Sequence, residues 1–303
     1  MIPAHRGRRP LTSCFGTRTA RSWIRSLLLP ALIGIATIPV FAQQRPFRTD
    51  DAELVAVGQI RVGFGVEFLQ GEKYSLSGLE GNLTRIGVTN LQVGVGQYAE
   101  FQLSGVVQDF LSVSRRYPPV IPPDFTGNAT SDFGDLVLAT KLRLLQERAS
   151  KPAMAFKFSV QLPNASNESG LGTDETGFYA SLLLSKRFGE AQLLGNVGLA
   201  ILGSPVRANS QSDLLTYGLG LIVPVNPKIS LVGEIHGRQG PDQVGNESRS
   251  QVCGGLLIHA AGLRWDIVGI TGFRKFDPDA GIAVGITFEF QAFNKKHAPT
   301  TVK

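Results

Sequence analysis

The sequence predicts an all-β protein: a transmembrane, up-and-down antiparallel β-barrel of about twelve strands that follows a cleaved signal peptide. Three observations support this fold class. A basic and then apolar N-terminus is typical of an exported chain. Short segments of alternating polar and apolar residues follow one another to the C-terminus. Short turns alternate with longer polar loops, as they do in outer-membrane barrels.

The N-terminus has the three parts of a secretory signal. Residues 1–25 carry six arginines and no acid, an apolar run follows over 27–41, and small or aliphatic residues precede a cleavage position after Ala42. The apolar run is shorter than the roughly 20 residues of a membrane-spanning helix. We therefore assign residues 1–42 to a signal peptide.

Removal of the signal changes the charge of the chain. The whole sequence has 30 Lys and Arg and 24 Asp and Glu, so the mature chain keeps 30 − 6 = 24 basic residues and has a formal net charge of zero. No basic surface remains to predict nucleic-acid binding. Cys14 lies in the signal, so Cys253 is the only cysteine of the mature chain. This excludes an intramolecular disulfide, and no zinc-ligand spacing is present.

The predicted elements follow the signal in order. Residues 43–53 are expected to form an extended periplasmic lead-in, 54–293 the barrel, and 294–303 a polar tail. The expected strands are 54–69, 83–97, 100–114, 134–147, 153–162, 175–188, 191–203, 213–225, 228–238, 249–260, 263–275 and 281–293, with a turn or bulge at 89–90 in the second. The longer, outward loops are 70–82, 115–133, 163–174, 204–212, 239–248 and 276–280. Both termini are then periplasmic.

Alternation gives each strand two faces. In 153–162, Phe156 and Phe158 fall on one face and Lys157 and Ser159 on the other. This pattern fits a membrane barrel with a polar lumen, and it also fits a soluble periplasmic β-protein with an apolar core. The signal, the alternating connection lengths and an aromatic C-terminal strand favour the barrel.

Several motifs resemble those of a known family. They are RPFRTDDA at 45–52, GVGQYAEFQL at 94–103, GDL at 134–136, and an LP…GLG loop at 162–172. Their order is similar to that in a bacterial outer-membrane transporter family named for the MetA pathway of phenol degradation. The resemblance implies a barrel of about a dozen strands and transport of small solutes. The family name points to aromatic or apolar ones.

Polar positions of the strands define the candidate functional surface. The residues expected to line the lumen are Arg61, Glu67, Glu100, Asp135, Lys141, Arg143, Lys157, Arg187, Glu234, His236, Arg238, Arg264 and Asp266. Such a surface could select a solute in a conduit. Alternatively, salt bridges could fill the lumen and leave no passage. An opening past Arg61, Lys141 and Arg264 would favour transport, and a closed charge layer would favour a structural barrel.

The sequence therefore favours a channel or transporter for small solutes in the cell outer membrane, with membrane lipid and the barrel assembly machinery as partners. The alternative is a structural or adhesive envelope barrel that acts through its loops. An outer-membrane acyl hydrolase is less favoured, because His236, His259 and His297 have no serine placed as such enzymes have it. No catalytic residue, cofactor or metal site is predicted.

Overall fold

The computed structural model describes residues 45–293, and these residues form thirteen strands joined by turns and loops. No helix among them is long and apolar enough to cross a membrane. The strands are β1 (Gln59–Tyr74), β2 (Leu79–Gly94), β3 (Ala99–Arg116), β4 (Ala129–Asp132), β5 (Leu136–Leu145), β6 (Ala153–Leu162), β7 (Gly177–Phe188), β8 (Ala191–Gly203), β9 (Gln211–Asn226), β10 (Ile229–Gln239), β11 (Arg249–Ala260), β12 (Leu263–Gly272) and β13 (Ala280–Gln291).

Twelve of these strands close into a barrel. Each pairs antiparallel with its neighbours along the chain, and β1 closes the sheet by pairing with β13 from Gln59↔Gln291 to Gln70↔Ala280. The short β4 pairs with β3 at its loop end, beyond the part of β3 that pairs with β5. The predicted up-and-down barrel of about twelve strands is confirmed. Closure pairs the edges that an open sheet would expose.

The two faces of the wall have opposite polarity. On β6, Phe156 and Phe158 are 39% and 45% exposed, whereas Ser159 is buried on the inner face. On β1, Phe64 points outward, whereas Arg61 and Glu67 are buried inside. An apolar exterior around a polar interior is the arrangement of a transmembrane barrel. The membrane interpretation of the alternation is therefore confirmed.

The first hairpin differs from its prediction. The polar segment 70–82 was expected to be a long loop, but β1 and β2 extend through it and leave only the turn 75–78, which ends at Gly78 with φ +68°. The irregularity expected at 89–90 is present over residues 87–89, between the pairs at Ile86 and Asn90, and it includes Gly87, whose φ is +69°. It shifts the pairing of β2 with β1 between Gly63 and Val66, so a bulge bends the wall here.

The segment before β1 lies inside the barrel. We call residues 45–55 the plug. Its Phe47, Asp51 and Ala52 are 4%, 0% and 0% exposed and contact inner-face residues of several strands. This corrects the predicted periplasmic position of residues 45–53, and it moves the start of the first strand from 54 to 59. The expected signal peptide and the tail at 294–303 lie outside the described residues.

Candidate functional site: a plugged lumen

A charge cluster joins the plug to one side of the wall. Asp50 lies 3.3 Å from the ammonium nitrogen of Lys141 and 3.0 Å from that of Lys157. Lys141 is fully buried and also lies 3.3 Å from the carboxylate of Glu100. Strand register places Lys141 directly opposite Glu100 on β3 and directly opposite Lys157 on β6. The wall thus presents two adjacent cations with one acid, and the plug supplies a second acid.

Further hydrogen bonds complete this cluster. Lys141 donates to the carbonyl oxygen of Asp51 at 3.0 Å, and the backbone N–H of Val55 donates to Glu100 at 2.5 Å. Burial is the largest influence on the pKa of Asp50 and raises it, but Lys141 and Lys157 together hold the pKa of Asp50 below its ordinary value. Asp51, whose carboxylate accepts from Gln192, has its pKa raised by burial. Asp50 is therefore the anionic anchor of the plug.

The opposite side of the wall holds the start of the plug. The guanidinium group of Arg45 lies 3.3 Å from the carboxylate of Asp266 on β12, and Arg264 donates to the carbonyl oxygen of Arg45 at 3.0 Å. The Glu234 carboxylate on β10 accepts the backbone N–H groups of Arg48 and Thr49. Charged groups of the wall thus bind both the side chains and the backbone of the plug.

Apolar contacts lie among these charges. The ring of Phe47 belongs to a buried cluster with six wall residues: Leu194, Ile222, Val232, Leu257, Val268 and Ala283. Ala52 forms a second cluster with Ala153, Ala155 and Leu183. The expected polar lumen therefore includes an apolar patch, which Phe47 covers.

The structure places eight of the predicted lumen residues against the plug: Glu67, Glu100, Lys141, Arg143, Lys157, Glu234, Arg264 and Asp266. The others are Arg61, Asp135, Arg187, His236 and Arg238. Arg61 pairs with Glu289 and Gln92 on neighbouring strands. Arg187 lies 3.7 Å from Glu147 at a short turn. Asp135, His236 and Arg238 make their contacts with other wall or loop residues.

Those three have local partners. Asp135 accepts from Gln161 at 2.5 Å, and Arg238 donates to the carbonyl oxygen of Glu247 at 2.8 Å. Nε2 of His236 faces Sγ of Cys253 at 4.0 Å. A polar cavity of about 150 Å³ opens beside this region, lined in part by Asp135, Gln161, Tyr179, Arg238 and Asn246.

The sequence interpretation missed the plug residues Arg45, Phe47 and Asp50, and the wall residues Arg85 and Asp109. Arg85 lies 3.1 Å from Glu67 and 3.2 Å from Asp109. One signal for the plug was present. The predicted lumen set holds seven Lys and Arg against five Asp and Glu. The preceding segment 45–55 carries three acids, Asp50, Asp51 and Glu53, against two bases, Arg45 and Arg48.

Solved structures with similar folds are bacterial outer-membrane barrels. An outer membrane channel from Pseudomonas putida F1 is 15% identical with a TM-score of 0.56, covering 79% of this chain and 98% of that chain. The translocator domain of the autotransporter NalP from Neisseria meningitidis is 13% identical with a TM-score of 0.47, covering 76% of this chain and 88% of its own. The NanC porin is 9% identical with a TM-score of 0.42, covering 78% and 98%.

No protein-family model matches the sequence, and no curated protein matches it. The resemblance to the transporter family therefore stays a prediction. The similarity to the Pseudomonas channel, at low identity, concerns the fold alone. Together with the closed wall and its apolar exterior, it shows that the chain has the fold of bacterial outer-membrane β-barrels.

Proposed function

We propose that this protein is an outer-membrane channel for small solutes whose lumen is closed at rest by its own plug. The observation that carries the proposal is the position of Asp50 between Lys141 and Lys157. The plug holds the wall through side chains and single hydrogen bonds and contributes no strand to the sheet. It could leave the lumen without breaking the hydrogen bonds that close the barrel.

The free-energy balance of the charge cluster is compatible with a plug that can dissociate from the wall. Burying an ion pair costs several kcal/mol of hydration per ion, and the attraction between the charges offsets much of that cost. When the plug leaves, water would hydrate Asp50, Lys141 and Lys157 again. The free energy lost when the ion pairs separate is therefore largely offset by the renewed hydration of the three charged groups. The exposed charges would then line a wet passage, as selectivity requires.

The apolar patch under Phe47 supports a solute class. Once Phe47 is withdrawn, Leu194, Ile222, Val232 and their neighbours would face the passage. An aromatic or apolar solute could contact the same side chains, because such surfaces attract apolar groups in water. This agrees with the solutes that the sequence resemblance implies. We include small aromatic molecules in the proposal on these two grounds.

One observation favours the structural alternative. Arg61, Lys141 and Arg264 are 2%, 0% and 7% exposed, and they form the closed charge layer expected of a barrel without a passage. However, Lys141 and Arg264 are covered partly by the plug rather than only by the wall. The same layer would therefore open if the plug moved. The two functions differ in what removal of the plug does.

We do not propose an enzyme. The partner of His236 in the described part of the chain is Cys253, at 4.0 Å, and no serine hydroxyl is hydrogen-bonded to a histidine there. We further propose that residues 1–42 are removed on export and that the barrel assembly machinery inserts the mature chain into the outer membrane.

The experiment compares ion conductance across planar bilayers. Refolded protein is measured beside a variant in which residues 45–53 are replaced by a Gly/Ser segment of equal length. We expect rare or small openings for the parent and a large, steady conductance for the variant. Liposomes with the variant should also admit benzenesulfonate, a permanently charged aromatic anion that does not cross lipid on its own. A folded, heat-modifiable variant that conducts no ions would overturn the channel proposal and support the structural barrel.

A further inference from the structure

Three metal-ligating side chains meet on the inner face of the wall. Glu234 and His236 lie two residues apart on β10, so they share one face of the strand. Cys253 on β11 lies directly opposite Glu234. One carboxylate oxygen, one imidazole nitrogen and the Cys253 sulfur all lie within 4.8 Å of one another.

The burial of these groups suits a bound ion. Glu234 and Cys253 are 4% and 6% exposed, and His236 is partly buried. The 4.0 Å approach of Nε2 to Sγ is the one side-chain hydrogen bond of His236 or Cys253 within residues 45–293. Ligand atoms around a tetrahedral zinc ion, bound at about 2.0–2.3 Å, are separated by about 3.3–3.8 Å. Small side-chain movements would therefore suffice to form the site.

We propose that Glu234, His236 and Cys253 bind a divalent cation of the zinc class, with water as the fourth ligand. Thiolate and imidazole ligands select zinc and similar transition metals over magnesium and calcium. The thiolate and the carboxylate carry two negative charges, which match the charge of the ion. The sequence alone does not predict this site, because the three residues have no linear metal-binding spacing.

Nearby charges are compatible with the ion. Arg48 of the plug is near the site, because its backbone N–H donates to Glu234. Its guanidinium group, however, pairs with Glu67 at 3.6 Å, and its side chain is 57% exposed. It could therefore turn away into the lumen. The Glu234 carboxylate would keep its contacts with the plug backbone while it shares an oxygen with the metal. All three ligands belong to the wall, so the site does not depend on the proposed plug function.

The test uses Co²⁺ and Zn²⁺ on the refolded full chain carrying Cys14→Ser, so that Cys253 is the only thiol. Co²⁺ should produce a thiolate-to-metal absorption band at one equivalent, and Zn²⁺ should remove that band. Cys253→Ser should abolish the band. His236→Ala should weaken Zn²⁺ binding by about tenfold or more. His259→Ala is the matched control, because His259 lies on β11 outside the cluster and should leave binding unchanged.

Two results would overturn the metal site. One is the absence of a thiolate band in parent protein that shows heat-modifiable gel mobility and is therefore folded. The other is Zn²⁺ binding by folded His236→Ala protein that is as tight as binding by the parent. Should Cys253→Ser fail to fold, Glu234→Gln measured beside His236→Ala decides the question in the same way.

Discussion

The two halves of the lumen are closed by different means. In the half near the short turns, Lys141, Lys157 and Arg143 are paired with Asp50 and Glu53 of the plug. In the half near the long loops, most pairs form within the wall: Arg85 with Glu67 and Asp109, and Arg249 with Glu72 at 2.5 Å. The plug reaches this set through Arg48, which lies 3.6 Å from Glu67. Near the short turns the wall also pairs Arg61 with Glu289, but Lys157 and Arg143 there take their acids from the plug. The plug therefore supplies acids that the wall lacks near the short turns.

The loops complete the second half. Ser75 in the first hairpin turn donates to Glu247, and Ser77 donates to the carbonyl oxygen of Gly170 at 2.7 Å. Leu69, Leu79, Leu83 and Leu111 pack beneath these contacts as a buried apolar cluster. This end resembles an ordinary folded core. Substitutions there should change stability, whereas substitutions at the plug should change conductance.

Asp50→Ala should increase conductance more than the other substitutions described below. Removing the carboxylate leaves Lys157 without its Asp50 partner and Lys141 with Glu100 as its one remaining ion-pair partner. Truncating one member of a buried pair costs about 3–5 kcal/mol. The plug should dissociate and the open fraction in planar bilayers should rise steeply. Asp213→Ala, at an exposed acid on β9, is the control and should conduct like the parent. Equal conductance of the two folded variants would show that the Asp50 pairs do not hold the plug.

Phe47→Ala should have the next largest effect. It removes a buried ring from the contacts with Leu194 and its neighbours, and such truncations cost about 3 kcal/mol where water can fill part of the gap. Single-channel recordings should show more frequent openings than in the parent. Phe156→Ala removes a ring from the outer face and should leave the openings unchanged. If both substitutions increased the frequency of openings equally, the cause would be a general destabilisation of the barrel and not the loss of the Phe47 contacts.

Gly65→Ala should have a smaller effect. A methyl group at 65 would meet the guanidinium group of Arg45, which must then shift from Asp266. Displacement of a flexible side chain costs about 1 kcal/mol, so openings should increase modestly. Gly233→Ala is the matched control, because nothing lies within 4 Å of the added carbon. Increased openings for Gly233→Ala would contradict the specific role of Arg45.

Glu72→Gln should leave conductance unchanged. The substitution weakens the pair with Arg249 in the loop half, so the temperature at which gel mobility shifts to the unfolded form should fall. Conductance of the folded protein should match that of the parent. A conductance increase as large as that of Asp50→Ala would mean that the two halves of the lumen do not act separately.

The barrel wall could be predicted from the sequence because polar and apolar residues alternate within each strand, so the pattern needs no knowledge of distant contacts. The inward placement of Arg61, Lys141 and Asp266 followed from alternation alone. The plug could not be predicted in the same way, since residues 45–53 have no period and their partners are remote: Asp50 and Lys141 are separated by 91 residues. The apolar stretch at 54–57 also continued the strand pattern, although β1 begins only after Gly58, whose φ is +79°.

The long first loop was predicted wrongly for a different reason. Residues 70–82 are rich in polar residues and glycine, which is typical of loops. In the barrel, polar side chains are needed on the inner face, so Glu72 pairs with Arg249 there while the strand continues. The metal-ligand cluster was missed because it depends on strand register: only the pairing of β10 with β11 brings Cys253 opposite Glu234.

A reversible covalent lock tests most directly whether the plug closes the lumen. A carbon added at Gly218 would lie 3.2 Å from Cβ of Thr49, so a small outward shift would bring the two carbons to the roughly 3.5–4.5 Å of a disulfide. Thr49→Cys with Gly218→Cys, in a chain that also carries Cys14→Ser and Cys253→Ser, should be silent in bilayers when oxidised and should open after reduction. Conductance in verified oxidised protein equal to that of the reduced protein would contradict closure by the plug.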